Sequence, residues 1–255
     1  MAYNFFAKRF QSFLTDMGSF GILMIGSFKS LPRIFRDRGL IFEQMVSIGV
    51  NSFVLISIIG LFTGAVSAWQ AAYQMAGLIS NNYLGSATSK AIIIELGPVL
   101  AAIVLAGRVG ASIAAELGTM KVTEQIDALE SMAINPARYL AMPRIVATTF
   151  MLPILVIYAI TVAILGSFLV ATLFLDVPAN TFMNGFKTSF ELKDFWTAMI
   201  KAFWFGLAIS SIGCFVGFQT QGGAQGVGLS TIKSFVICAA SILILDYILW
   251  NLLVG

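Results

Sequence analysis

The chain has 255 residues, of which 58% are hydrophobic and 11% are charged, and its formal net charge is +3. In soluble domains about a quarter of the residues are charged. A water-soluble fold of this length could not cover its surface with the smaller number of ionised groups in this chain. The small net charge gives no indication of a nucleic-acid partner. The composition therefore predicts an all-α integral membrane protein with lipid as solvent.

Counts of two residue types restrict the chemistry. The chain has no histidine, so the commonest general base and metal ligand is missing. Cys214 and Cys238 lie in apolar stretches without metal-binding spacing. The glycine-rich stretch 222–228 lacks the ending of a phosphate-binding loop and is expected to be a flexible turn or a place of close backbone approach. We therefore expect buried thiols, no catalytic residues, no metal site and no cofactor in this chain.

The first element in chain order is an N-terminal segment over residues 1–44. Its aromatic and aliphatic side chains carry a basic fringe, which is typical of an amphipathic helix in the membrane interface. Two short helices bent near Gly18 or Gly26 would also fit. A sixth membrane span is a further alternative, although the uncharged stretch Met17–Phe28 is short for one.

Residues 45–255 are expected to form the transmembrane domain. A span needs about 20 mostly apolar residues, and a kink is plausible at Pro153. Five segments meet this requirement: Met45–Met75, Ala91–Leu117, Ile145–Leu175, Phe195–Phe218 and Ser234–Val254.

Basic residues in the short loops predict the orientation. Six lie in the N-terminal segment, and the loop between the second and third spans adds Lys121, Arg138 and Arg144. The loops that follow the first and third spans have fewer. Because basic loops stay in the cytoplasm, we expect a cytoplasmic N-terminus and a C-terminus on the opposite side.

The loop between the second and third spans contains a predicted short amphipathic helix, at about residues 121–134. Thr123 is expected to cap its start, and Asn135-Pro136 to end it. One interpretation is a surface helix packed on its own bundle. The other is a coupling helix whose apolar stripe enters a groove of a motor subunit. The residues assigned to this coupling are Glu124, Ile126, Asp127, Leu129 and Glu130.

Six ionisable residues within or beside the predicted spans are candidate site residues. Inserting an ionised side chain at mid-bilayer costs at least about 2.5–3.5 kcal/mol of free energy on insertion scales. Each of these residues is therefore expected to have a structural or functional role. Pairs such as Lys201 with Asp246, or Arg108 with Glu116, would hold helices in register. The alternative, favoured for part of the set, is a cavity for amphiphiles in which Lys201 attracts a phosphate. The cavity candidates are Glu95, Asp194, Lys201 and Asp246, and the structural candidates are Arg108 and Glu116.

Two pairs of glycines have the spacing of close helix contacts. They are Gly60 with Gly64 in the first span and Gly213 with Gly217 in the fourth. Packing within one subunit and contact across a dimer are both open.

A long block of sequence resembles the MlaE permease family. The similarity covers most of the chain from about Ile41, and its specific runs are Glu95-Leu96-Gly97-Pro98-Val99-Leu100, Ala106-Gly107-Arg108-Val109-Gly110, Ala115-Glu116-Leu117-Gly118-Thr119-Met120, Thr123-Glu124-Gln125-Ile126-Asp127-Ala128-Leu129, Asn135-Pro136, Pro143-Arg144 and Leu245-Asp246-Tyr247.

This resemblance implies a homodimeric permease at the centre of a bacterial inner-membrane ABC transporter for phospholipids or other lipids. It also implies a cytoplasmic ATPase that binds ATP and Mg²⁺, a STAS-domain protein and a periplasmic MCE-domain protein. Matching positions in the family support the cavity role of Glu95, Asp194, Lys201 and Asp246.

Three other classes of protein are weighed against this expectation. A secondary transporter usually shows repeated halves and broken helices, and neither is visible. A membrane enzyme would need a catalytic cluster. A membrane scaffold would give no reason for charges inside the bilayer.

Overall fold

The computed structural model describes residues 2–29, 38–75 and 83–253, and nearly all of them are helical. Residues 30–37 of the predicted N-terminal segment and Val254 at the predicted end of the last span lie outside this part. The helices are α1 (Ala2–Lys29), α2 (Arg38–Met75), α3 (Leu84–Val122), α4 (Gln125–Ser131), α5 (Ala137–Leu173), α6 (Ala179–Ser189), α7 (Leu192–Phe218) and α8 (Gly223–Leu253).

Five helices of the described chain, α2, α3, α5, α7 and α8, are long and apolar enough to cross a membrane. This confirms the predicted all-α architecture with five spans. Four of these helices begin 7 to 11 residues before the predicted spans, at Arg38, Leu84, Ala137 and Gly223, because backbone hydrogen bonding continues into polar turns that hydropathy does not detect.

Helix α1 is one continuous helix through Gly18 and Gly26, so the alternative of two bent helices is wrong. Its apolar part is limited to Met17–Ser27, and α1 is not among the spans found in the described residues. Phe20 packs edge-to-face on Phe215 of α7, with ring centroids 5.4 Å apart. The first helix therefore lies against one end of the bundle.

The five long helices alternate in direction. We call one end of the bundle the α4 end, where α3, α7 and α1 terminate, and the other the α6 end. The largest interface is that between α2 and α5, while α7 packs on α5, α3 and α8. The N-terminal helix and α4 thus share one end, and α8 finishes at the other.

Glycines allow the closest helix contacts. A Cβ atom on Gly64 would lie 1.7 Å from the carbonyl oxygen of Ala163 on α5. One on Gly213 would lie 2.9 Å from the carbonyl oxygen of Gly110 on α3. Any larger residue must separate these helices. Both predicted glycine pairs therefore pack within the chain.

Three π-helical turns interrupt the spans: Ile92–Leu96 and Ala106–Gly110 in α3, and Ala137–Ala141 at the start of α5. A single residue separates the first turn from Pro98 and the third turn from Pro143. Proline lacks an N–H and its ring clashes with the carbonyl four residues earlier, so a wider turn relieves the backbone before it.

The loop formed by the glycine-rich stretch is shorter than predicted. Gly222 and Gly223 have positive φ angles of 89° and 63°, and α8 begins at Gly223. Residues 223–228 are therefore helical and not a flexible turn. The alternative of close backbone approach holds at Gly226, where a Cβ atom would lie 1.7 Å from the carbonyl oxygen of Gln221. Both cysteines are buried and free, as expected.

Candidate functional site

Lys201 of α7 lies inside the bundle with 0% of its side chain exposed. Its Nζ atom donates a hydrogen bond of 2.6 Å to Oε2 of Glu95 on α3. The same atom lies 2.7 Å from Oδ1 of Asp246 on α8, an ion pair outside hydrogen-bonding geometry. We call these three residues the ion triad. It joins three spans and contains the pair of Lys201 with Asp246, which was one of the two alternatives drawn from the sequence.

The backbone of α3 places Glu95 in the triad. Glu95 lies in the π-helical turn Ile92–Leu96, where Gly97 N–H bonds to the carbonyl of Ile92. The turn precedes Pro98, which cannot donate to this part of the helix. Such single turns occur frequently at functional sites, and here the turn carries the carboxylate that holds Lys201.

An aromatic ring completes the surroundings of Lys201. Its Nζ atom lies 5.2 Å from the centroid of the Trp250 ring, and Trp250 follows Asp246 by one turn of α8. A desolvated cation over an aromatic face gains about 2 kcal/mol. The two carboxylates and the ring together offset the loss of hydration of the buried ammonium group.

Asp194 is not part of the triad. It lies 3.6 Å from Nζ of Lys90, which also forms an ion pair of 2.8 Å with Glu191. Asp194 shares a helical face with Lys201, but seven residues along a helix span about 10 Å. The structure thus divides the four predicted cavity residues between the triad and a second cluster nearer the α6 end.

Arg108 and Glu116 do not pair with each other, so that prediction is wrong. Arg108 donates hydrogen bonds to Ser52 Oγ and to the Ile48 carbonyl oxygen on α2. Glu116 forms an ion pair of 3.1 Å with Arg144 of α5. Eight residues along one helix span about 12 Å, so each side chain finds a nearer partner on a neighbouring helix.

The predicted coupling helix exists as α4, but its start differs from the prediction. Thr123 Oγ1 donates a hydrogen bond of 2.8 Å to the Thr119 carbonyl oxygen, so it ends α3 and does not cap α4. Glu124 has a positive φ of 60° and turns the chain between the two helices. The expectation of an N-terminal cap at Thr123 is therefore wrong.

The apolar stripe of α4 faces its own bundle. Ile126 is buried in the core and Leu129 packs against it, so the expectation of an exposed apolar stripe is wrong for these two residues. The surface that α4 presents is acidic. Glu124, Asp127 and Glu130 are all exposed, and Asp127 forms an ion pair of 2.7 Å with Lys121.

Sequence reasoning did not identify the partners Lys90, Glu191 and Arg144. Lys90 and Glu191 lie near the ends of α3 and α7 that meet at the α6 end. Their opposite charges at the same end of two spans were a usable signal. Arg144 had been counted only as a loop charge, although just 11% of its side chain is exposed.

Known permease proteins are similar to this chain in sequence. The family model described as Permease MlaE matches residues 41–252. A probable ABC transporter permease protein of Rickettsia typhi is 36% identical over 92% of this chain and 92% of its own length. A probable ABC transporter permease protein of Synechocystis is 36% identical over 84% of this chain and 81% of its own.

A third relative carries a more specific name. The intermembrane phospholipid transport system permease protein MlaE of Haemophilus influenzae is 31% identical over 100% of this chain and 99% of its own length. The family match covers all five spans, the ion triad and α4. The chain therefore belongs to the MlaE permease family.

Proposed function

We propose that this chain is the membrane-spanning subunit of an ABC transporter that moves phospholipids between the bacterial inner membrane and a periplasmic MCE-domain carrier. A separate cytoplasmic ATPase drives the movement and binds ATP and Mg²⁺. In this proposal the chain is a non-catalytic homodimer subunit, and a STAS-domain protein accompanies the ATPase. The proposed interfacial segment covers residues 1–44 and the proposed permease domain residues 45–255, although residues 38–44 already belong to α2, which begins at Arg38.

The observation that carries the proposal is the continuity of α3. This helix holds Glu95 of the ion triad in one half and ends two residues before α4 begins. Glu95 and Val122 are 27 residues apart, about 40 Å along a helix. A force applied to α4 would therefore reach the triad through one element. Such a connection between two distant sites is what a transporter driven by a partner requires.

The exposed surface of α4 favours a partner with basic groups. Three carboxylates are exposed at or beside this helix, and one of them is already paired with Lys121. Charge complementarity guides which surfaces associate. We therefore expect the ATPase to present basic side chains to Glu124 and Glu130. The basic loops at this same end support placing it in the cytoplasm and the C-terminus in the periplasm.

The ion triad and its surroundings support a lipid as the transported molecule. A site for amphiphiles combines apolar walls with a few charged groups, and the spans around the triad supply both. The name of the Haemophilus relative points to phospholipid. Glu95 would then contact the headgroup region, while Lys201 and Asp246 hold it in position and Asp194 lies nearer the α6 end.

Native mass spectrometry of the tagged chain, purified from its own membranes in mild detergent, tests the proposal. We expect two copies of the chain with two ATPase subunits and bound phospholipid. Glu130→Lys should reduce the retained ATPase by about tenfold, the effect of losing one close charge pair and adding a repulsion.

Lys187→Glu is the matched control, because it reverses an exposed charge at the α6 end. It should leave the retained ATPase unchanged. A lone protein without ATPase, in detergent that preserves other membrane complexes, would contradict the proposal and favour a secondary transporter or a scaffold.

A further inference from the structure

The three members of the ion triad differ in how much of each side chain a ligand can reach. Lys201 is 0% exposed, Asp246 is 14% exposed and Glu95 is 41% exposed. The accessible group of this cluster is therefore a carboxylate. The hypothesis that Lys201 attracts a phosphate does not fit this geometry, because its ammonium group already contacts two carboxylates and lies enclosed.

The charges of the triad are also unequal. With every group ionised, two carboxylates face one ammonium group, which leaves one negative charge in excess. Among the described residues, the nearby basic groups Arg108 and Lys90 are engaged elsewhere. Arg108 bonds to α2, and Lys90 pairs with Glu191 and Asp194. Surplus charge within a membrane is unfavourable, and it is relieved when a carboxyl group takes up a proton or when a counter-charge approaches.

The ring beside the triad suits a cation as well. Trp250 lies next to Lys201 and remains partly exposed, with 38% of its surface accessible. Indole rings attract ammonium groups, including those of ligands. Glu95 offers an accessible carboxylate and Trp250 a partly exposed indole, and both lie beside the ammonium group of Lys201. These are two features that recognise an organic ammonium ion.

We propose that Glu95 binds the ammonium group of a phospholipid headgroup, so that the site selects amine-bearing phospholipids over those whose headgroup has no cationic group. This inference rests on the proposed function. The headgroup ammonium takes the place that Lys201 cannot fill, since Lys201 neutralises only one of the two carboxylates. Glu95 is then a specificity-determining residue, while Lys201 and Asp246 hold it in position.

Lipid selection by the purified full-length chain provides the test. The chain is equilibrated in detergent micelles that contain equal amounts of dioleoylphosphatidylethanolamine, its N-acetylated derivative and dioleoylphosphatidylglycerol, and the retained lipids are quantified by mass spectrometry. N-acetylation removes the positive charge with little change elsewhere. We expect the free amine lipid to be enriched about tenfold over both others, the effect of one charge-assisted hydrogen bond.

Three variants make the result specific. Glu95→Gln should still retain lipid but lose the enrichment, and Glu95→Asp should keep much of it because the charge remains. Glu43→Gln, at an exposed glutamate at the start of α2, should behave as the unchanged chain. A monodisperse profile in size-exclusion chromatography shows that each variant is folded, and the Asp variant keeps the test valid if the Gln variant unfolds.

The possible outcomes separate this inference from the proposed function. Lipid retention without a headgroup preference, or a preference that survives Glu95→Gln, would overturn the inference and leave the transporter proposal standing. Failure to retain any of the three lipids would contradict the proposed function itself. Enrichment that disappears with N-acetylation and with Glu95→Gln would establish the inference.

Discussion

Lys201 and Lys121 each hold an aspartate at 2.7 Å, Asp246 and Asp127 respectively, in different surroundings. The first lysine is enclosed between three spans, whereas the second lies at the α4 end with about a third of its side chain exposed. The distance between the two charged atoms therefore does not by itself determine how much an ion pair contributes to stability. Within the membrane a lost partner leaves a charge that water cannot solvate, while at the surface water replaces the partner.

Among the substitutions that test this comparison, Lys201→Met should have the largest effect on the free energy of unfolding. It leaves Glu95 and Asp246 without their cation, so we expect the free energy of unfolding to fall by about 3–5 kcal/mol. Unfolding in mixed micelles with increasing sodium dodecyl sulfate measures the change. Lys121→Met is the matched control and should cost no more than about 1 kcal/mol. Equal effects of the two substitutions would show that burial does not distinguish these pairs.

Glu116→Ala should fall between these two lysine substitutions. It removes the carboxylate from Arg144, whose side chain is mostly buried and whose Nε atom has no hydrogen-bond partner. Because Glu116 is itself half-exposed, we expect a loss of about 1–2 kcal/mol in the same unfolding measurement. Ser112→Ala removes only the hydroxyl that donates to Glu116 and should change stability less. A cost as large as that of Lys201→Met would contradict the ordering by burial.

The smallest effect is expected at Glu191, outside the spans. The hydrogen bond from Lys90 lowers the pKa of this carboxyl below its ordinary value of 4.5. A lowered pKa contributes stability above the ordinary value, and the contribution is lost as the pH falls through the value in the folded protein. Glu191→Gln should therefore melt slightly below the unchanged chain at neutral pH. The difference should shrink below pH 4.5, and a gap that grows there would contradict the assignment.

The sequence was sufficient for the number of spans, because a long apolar helix depends only on local composition and length. A pair of Lys201 with Asp246 was one of two alternatives drawn from the sequence, since an isolated charge inside a bilayer needs a partner. The sequence did not place Glu95 in the same cluster as a direct contact. That contact depends on the wide turn before Pro98, whose effect on side-chain direction is not visible in a regular periodicity.

Other predictions were wrong where they concerned which residue or surface a side chain contacts. Arg108 and Glu116 were paired along one helix, but each bonds to a neighbouring helix. The apolar stripe of α4 was assigned to a partner protein, yet Ile126 is buried in its own bundle. Amphipathic spacing shows that a face is covered and does not show by what. Tertiary packing decides such questions.

The two π-helical turns of α3 also affect how related sequences should be aligned. Each such turn accommodates one residue more than an α-helical turn while the flanking helix keeps its direction. The deletion of one residue inside Ile92–Leu96 or Ala106–Gly110 would therefore leave the helical segments on both sides with the same faces turned outward. A gap inside Gly97–Leu105 would rotate Glu95 by about 100° relative to the α4 end. One-residue deletions thus keep the phase of this helix in two short windows and disrupt it between them, and a deletion in the first window also removes the turn that positions Glu95.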